Sequence, residues 1–221
     1  MKKNTNENQQ YIYVMISRTQ TKFGGFLRKM GRLEYNHSSL GLDANLNELY
    51  AFARPQYRGV FLGRLVRETL VRYTLKNENL VPIKIFKLPI SHTELSNLRE
   101  ELQTIISDTE YVYNLFSVLT YPVTRGFSVY KAYNCTEFVA YILKKLNFPL
   151  EKPAHTYRPD DFSKILEQYI VFAGDIREYM QCASTDEPYF EPNSFRMFFR
   201  NLMAFFRIGI RTCFYRKKSN I

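Results

Sequence analysis

The sequence predicts one mixed domain of strands and helices with a basic helix appended. Three observations carry this. Runs rich in β-branched and aromatic residues lie mainly in the first ninety positions. Two well-capped amphipathic helices follow them. The positive charge is then concentrated at the C-terminal end. The chain has 221 residues and is 45% apolar, enough for one sizeable core.

The elements read in order. Residues 1–10, "MKKNTNENQQ", form a polar leader with two lysines and no apolar run behind them, unlike a signal peptide. No segment approaches the ~18–20 apolar residues of a spanning helix. The domain is expected over 11–175. "YIYVMISRT" (11–19) is a strand. "TKFGGFLRKMGRLEY" (21–35) carries three glycines and reads as a loop with a short helix. "NHSSLGL" and "ELYAFAR" flank the polar "DANLN" and predict a β-hairpin. "RGVFLGRLVRETL" (58–70) fits either a loop or a strand. "VPIKIFKLPI" (81–90) alternates as a strand does, with prolines near its ends. Ser91 and Glu94 have capping-box spacing, and Leu95, Leu98, Leu102, Ile105 and Ile106 follow at helical spacing, so 92–107 is a helix. "YVYNLFSVLTYP" (111–122) is apolar and expected to be buried. "RPDDFSKIL" enters a short helix and "YIVFAG" is a last strand. Residues 176–194 read as a linker and 195–218 as an amphipathic basic helix.

The cysteine in "KAYNCTEFVAYILKKLNF" (131–148) stands out. Asn134 is a good N-cap, and Glu137 sits where a capping box would reciprocate. Cys135 then opens the helix, where the dipole and unpaired amides favour a thiolate and could hold an oxyanion. Cys182, in a polar loop, and Cys213, on the apolar side of the tail helix, lack this context. Three cysteines at wide spacing, without a CxxC pair, argue against a disulfide framework or a zinc site, and a reducing compartment is expected. A thiol nucleophile needs a base, normally histidine. His92 reads as a solvated residue at a helix start, and His155 lies in a loop. His37 shares a strand face with Tyr35, Ser39 and Gly41, a face of small and polar residues.

A histidine in an N-terminal hairpin, a long insertion, and then a helix opening "NCTEFVAYIL" resembles the circularly permuted NlpC-type papain-like proteins. That group includes lecithin retinol acyltransferase and the YiiX-type bacterial proteins. The order of "SRT", "NHSSLGLD", "ELYAFAR", "RE", a Cys-x-x-Phe-Val helix and "RPDDF" is closest to Firmicutes members of the group. The likeness spans roughly residues 11–167. It implies an α+β, permuted papain-like domain in which an antiparallel sheet packs on the nucleophile-bearing helix. It also implies Cys135 as nucleophile and His37 as general base, with no cofactor and no metal. Relatives carry a third polar residue on the strand after the hairpin turn, where this chain has Ala51 and Phe52. The orienting group is then expected elsewhere, from Glu68 or from a backbone carbonyl.

The segment 195–218 holds seven basic residues and no acid, so the rest of the chain carries only +3 of the net +10. On a helical wheel Arg196, Arg200, Arg207 and Arg211 form a narrow stripe. Apolar residues, Phe198 and Phe205 among them, fill a broad opposite arc. That pattern fits a helix lying in a membrane interface rich in anionic lipid. A nucleic acid is not the expected partner, because the apolar arc has no role on a phosphate backbone. The expected function is a cysteine-dependent hydrolase or acyltransferase, cytoplasmic and peripheral to the membrane, acting on an ester or amide of a lipid or acylated substrate. The alternatives are a non-catalytic membrane-associated binding module of the same fold, and a cysteine peptidase or amidase.

Overall fold

The computed structural model describes residues 9–59, 62–75, 79–180, 188–190, 195–214 and 216–217. It is an α+β arrangement. In chain order it runs β1 (Gln9–Ser17), α1 (Lys22–Gly31), β2 (His37–Gly41), β3 (Leu49–Ala53), β4 (Arg64–Glu68), α2 (Val71–Thr74), β5 (Pro82–Ser91) and α3 (His92–Ser107). It continues with β6 (Val112–Tyr113), α4 (Leu115–Leu119), α5 (Tyr121–Thr124), β7 (Ser128–Val129), β8 (Ala132–Tyr133) and α6 (Cys135–Lys145). The last elements are α7 (Pro159–Ile165), β9 (Ile170–Asp175), α8 (Ile176–Tyr179), α9 (Phe195–Phe214) and β10 (Arg216–Lys217).

The main sheet has six strands in the order β4-β3-β2-β1-β5-β9, each neighbouring pair antiparallel. Strand alternation gives it two faces. One face carries Ile12, Val14, Ile16, Leu40, Phe52 and Leu65. It packs against Phe138, Val139, Ile142 and Leu143 of α6, Leu98 and Leu102 of α3, and Phe162 of α7. The other face carries Tyr13, Met15, Leu49, Ile83 and Ile85, covered by Tyr73 of α2 and Ile176 of α8. Burying each such aliphatic or aromatic side chain contributes ~1.5–3 kcal/mol.

Both sequence-predicted caps form. Ser91 Oγ accepts the Glu94 N–H at 3.2 Å while Glu94 accepts the Ser91 N–H at 2.7 Å. Asn134 Oδ1 accepts the amides of Thr136 at 3.0 Å and Glu137 at 2.9 Å. The short helix expected within 21–35 is ten residues long and is capped by Thr21. Gly24 is needed there because the helix lies close against Thr19 and Asn36. The ambiguous 58–70 segment yields strand β4. The stretch 111–122 breaks into short elements, and a small second sheet, β10-β7-β8-β6, forms beside it. The expected linker also begins later. Ile176 is fully buried under the main sheet, so residues 176–180 belong to the domain. The polar leader overlaps β1, which starts at Gln9; residues 1–8 lie outside the described ones.

Candidate active site

The α6 N-terminus abuts the start of β2. Two contacts set that start. Ser17 of β1 pairs with His37, and the Asp160 carboxylate of α7 accepts the amides of Glu34 at 3.0 Å and Tyr35 at 2.8 Å. The aspartate of the "RPDDF" stretch thus fixes the chain entering the histidine strand. Across the gap, Ser38 Oγ and Thr136 Oγ1 lie 3.2 Å apart and tie β2 to the first turn of α6.

The structure brings Cys135, His37 and Glu68 together. The thiol, 6% exposed, lines the same cleft as the His37 ring, and the two interact as a charge pair. His37 Nε2 lies 3.0 Å from Glu68 Oε2, which leaves Nδ1 for the sulfur. Glu68 reaches His37 from β4, two strands away. Glu68 pairs with Leu49 and by alternation shares its sheet face with Ala51, whose small side chain leaves room for the carboxylate to reach past β3. Phe52 faces the opposite side and packs edge-on to Tyr133 and against Phe138. The carboxylate is anchored by the Ser39 hydroxyl at 3.0 Å and by the Tyr73 hydroxyl. Ser39 and Tyr73 are themselves 2.7 Å apart.

The electrostatics follow from this burial. Desolvation pushes the His37 imidazolium down, but the Glu68 carboxylate and the adjacent thiolate outweigh it and raise the ring to about 10. Desolvation pushes the Cys135 thiol up. The His37 charge, its hydrogen bond, the Ser38 N–H and the Thr136 hydroxyl bring it net below its ordinary value. Glu68 is likewise pushed up by burial and brought net down, chiefly by His37. Both shifts favour the thiolate–imidazolium form of the pair.

Sequence reading missed Tyr113. It lines both clefts beside Cys135, and burial next to the sulfur raises the phenol far above its usual range, so it stays protonated as a donor. Nothing local marks Tyr113. Its approach depends on Gly63, where a Cβ would lie 2.2 Å from the Tyr113 Cβ, and on the Tyr113 N–H to Gly63 carbonyl bond of 2.7 Å. One expectation needs correction. The Thr136 and Glu137 amides are bound by Asn134, so they are not open to an oxyanion.

The other candidates separate from the site. His92 is an exposed residue at the start of α3. His155 is buried, with Nδ1 3.2 Å from Ser128 Oγ, which in turn donates to Glu137 at 2.9 Å. This polar cluster lies under the α6 cap, and burial raises Glu137 to about 7. Cys213 is exposed on α9, and Cys182 lies outside the described residues.

In the tail, α9 ends at Phe214, short of the expected 218, and Arg216–Lys217 pair with β7. Met197 and Ile208 are buried against the domain. Phe205 stacks at a tilt on Phe116 with centroids 5.6 Å apart, so it is a docking residue. Arg207 and Arg211 are docking residues too. They donate to the carbonyls of Thr109, at 2.9 Å, and Glu110. Arg196, Arg200 and Phe198 are exposed, as are Phe195, Phe199, Leu202, Met203, Phe206, Ile210 and Phe214. Among the described residues no helix is long and apolar enough to cross a membrane.

No family model matches the chain, and no curated protein or solved structure matches it either.

Proposed function

We propose that this protein is a cysteine-dependent hydrolase or acyltransferase with a Cys135–His37–Glu68 triad, in a permuted papain-like fold. The observation that carries the reading is the buried thiol in one cleft with an imidazole whose Nε2 is held by a carboxylate at 3.0 Å. A packing cysteine needs no such chain of partners. The resemblance described above points the same way.

The chemistry runs as follows. The Cys135 thiolate attacks an ester or amide carbonyl carbon and a C–S bond forms. The negative charge moves to the carbonyl oxygen, and Tyr113, which lines the cleft beside Cys135, is the proposed donor to it. As the intermediate collapses, the C–O or C–N bond breaks and the His37 imidazolium gives its proton to the leaving atom. Water or an alcohol or amine then attacks the thioester, His37 takes the proton, and the thiolate departs. Glu68 holds the ring and its charge.

The outward face of α9 supports a membrane location. Eight large apolar side chains are exposed on a helix with no acid, flanked by Arg196 and Arg200. Soluble surfaces rarely carry so large an apolar patch, and the basic residues match anionic headgroups. A lipid or acylated substrate follows from that location.

Intact-mass analysis after mixing with p-nitrophenyl butyrate tests the chemistry. We expect a butyryl adduct on Cys135 and a burst of nitrophenol, both lost in Cys135→Ser. Equal labelling of Cys213, or no adduct on a folded protein, would refute the enzyme reading.

A further inference from the structure

Cys135 stands at the junction of two clefts that share Leu27, Asn36 and Tyr113. The first contains His37, Glu68 and Tyr73. The second is mostly apolar, bounded by Met30 and Leu33 at the α1 end, Val118 and Pro122 of α4 and α5, and Tyr157. In the reaction above the leaving atom must sit beside His37 to receive its proton. The acyl substituent then lies on the other side of the sulfur, in the apolar slot.

The helices that wall this slot also present apolar residues outward. Phe26, next to the slot residue Leu27, is 52% exposed, and Val123, next to Pro122, is 88% exposed. Leu119 is exposed on the same pair of short helices. These elements are contiguous with the tail, since α1 touches α5 and α4 touches α9. Their surroundings are basic. Lys22, Lys29, Arg32 and Arg125 are exposed, and α1, α4, α5 and α9 contain no acid.

We infer that Phe26, Leu119 and Val123 form a second membrane-inserting element beside α9, which opens the slot directly into an anionic phospholipid leaflet, so that an acyl chain passes from the bilayer to Cys135 without crossing water. This rests on the acyl-transfer reading for the role of the slot, while the insertion itself does not.

The absence of tryptophan from the chain makes the test direct. Val123→Trp introduces a single reporter at the proposed contact, and Val171→Trp places one on the edge strand β9, where Val171 is also exposed. With phosphatidylglycerol-containing vesicles, we expect the Val123→Trp emission to shift to the blue and to be quenched by lipids brominated in the acyl chain, while Val171→Trp stays solvent-exposed. Vesicle-bound protein in which Val123→Trp remains in water, or in which both reporters shift alike, would overturn the proposal. The slot is tested by comparing p-nitrophenyl decanoate with the butyrate. Each methylene held in the slot should raise the acylation rate up to about fourfold, and Met30→Trp should cut the decanoate-to-butyrate ratio at least tenfold. A ratio near one in the native chain would remove the slot from the proposal. Acylation of Cys135 by butyrate shows independently whether the nucleophile reading stands, so the two failures are distinguishable.

Discussion

The cleft around Cys135 and the outer face of α9 invert the ordinary distribution of side chains in opposite ways. The cleft buries a thiol, an imidazole and a carboxylate, and connects them to Ser39, Tyr73 and Tyr113. The α9 face leaves eight large apolar residues in contact with solvent. Buried ionisable groups are costly unless mutually partnered, and exposed apolar surface forgoes the main driving force of folding. A chain selected for stability alone would keep neither. The difference also separates two kinds of consequence. Removing a partner in the cleft leaves a buried group unmatched and should harm both stability and reactivity. Removing an exposed apolar group on α9 should leave folding alone and affect association only.

The largest effect is expected at His37. In the native chain, the alkylation midpoint of Cys135 should lie below the free-thiol value of ~8.5, because the thiol is brought down by the imidazolium. Ester turnover should fall as the pH rises through about 10, where His37 loses its proton. His37→Ala removes the ion pair and leaves the thiol dominated by burial. Its midpoint should move above 8.5, and iodoacetamide labelling at pH 6 should slow by about 100-fold. A midpoint that does not move would exclude His37 as the partner.

Next is Glu68. Glu68→Ala leaves a buried imidazolium without its carboxylate and should cost ~3–5 kcal/mol. The pH dependence has a definite sign. Glu68 is depressed on folding, so its contribution is present above its unfolded value near 4.5 and is lost as the pH falls through the lower native value. His37 is raised, so its contribution is present below 6.5 and is lost as the pH rises through about 10. The deficit of Glu68→Ala, read by urea denaturation, should therefore be greatest near pH 5–6 and shrink toward both extremes. A deficit independent of pH would mean that the carboxylate is held for packing only.

On α9 the contrast can be tested within one helix. Ile208→Ala, at a buried docking position, should lose ~2–4 kcal/mol of stability. Phe206→Ser, two residues earlier and exposed, should change stability by no more than ~0.5 kcal/mol. It should nevertheless weaken binding to anionic vesicles about tenfold, as loss of one partly inserted side chain implies. Equal destabilisation by both would place the outer face in a folding contact.

The smallest effect is expected at Glu137, buried outside the Cys135–His37–Glu68 cluster. Burial raises it to about 7, so folding favours its protonated form and stability declines as the pH rises from about 4.5 to 7. Glu137→Gln keeps a capping residue and removes the charge. It should raise the melting temperature by a few degrees at pH 8 and by almost nothing at pH 4.

Several features were legible because they depend on neighbouring residues. The hairpin around "DANLN", the Ser91–Glu94 and Asn134–Glu137 caps, and the position of Cys135 in the first turn of α6 all follow from local spacing. So does the small, polar face of His37. Glu68 was narrowed to a candidate but could not be selected. Its approach to His37 depends on the order β4-β3-β2 and on the space above Ala51, which pair residues 31 positions apart. Tyr113 had no local signal, since its placement depends on the close passage of Gly63. The oxyanion amides were misread for a related reason, because the cap that positions Cys135 consumes the next two N–H groups. In the tail the helical pattern was visible. Which arginines dock on the domain was not, because Arg207 and Arg211 find carbonyls on a segment about a hundred residues distant. Sequence alone determined what each local segment can form and which residues have the chemistry. The tertiary structure decided which of them meet, because burial and long-range pairing, not periodicity, set the partners of a buried charge.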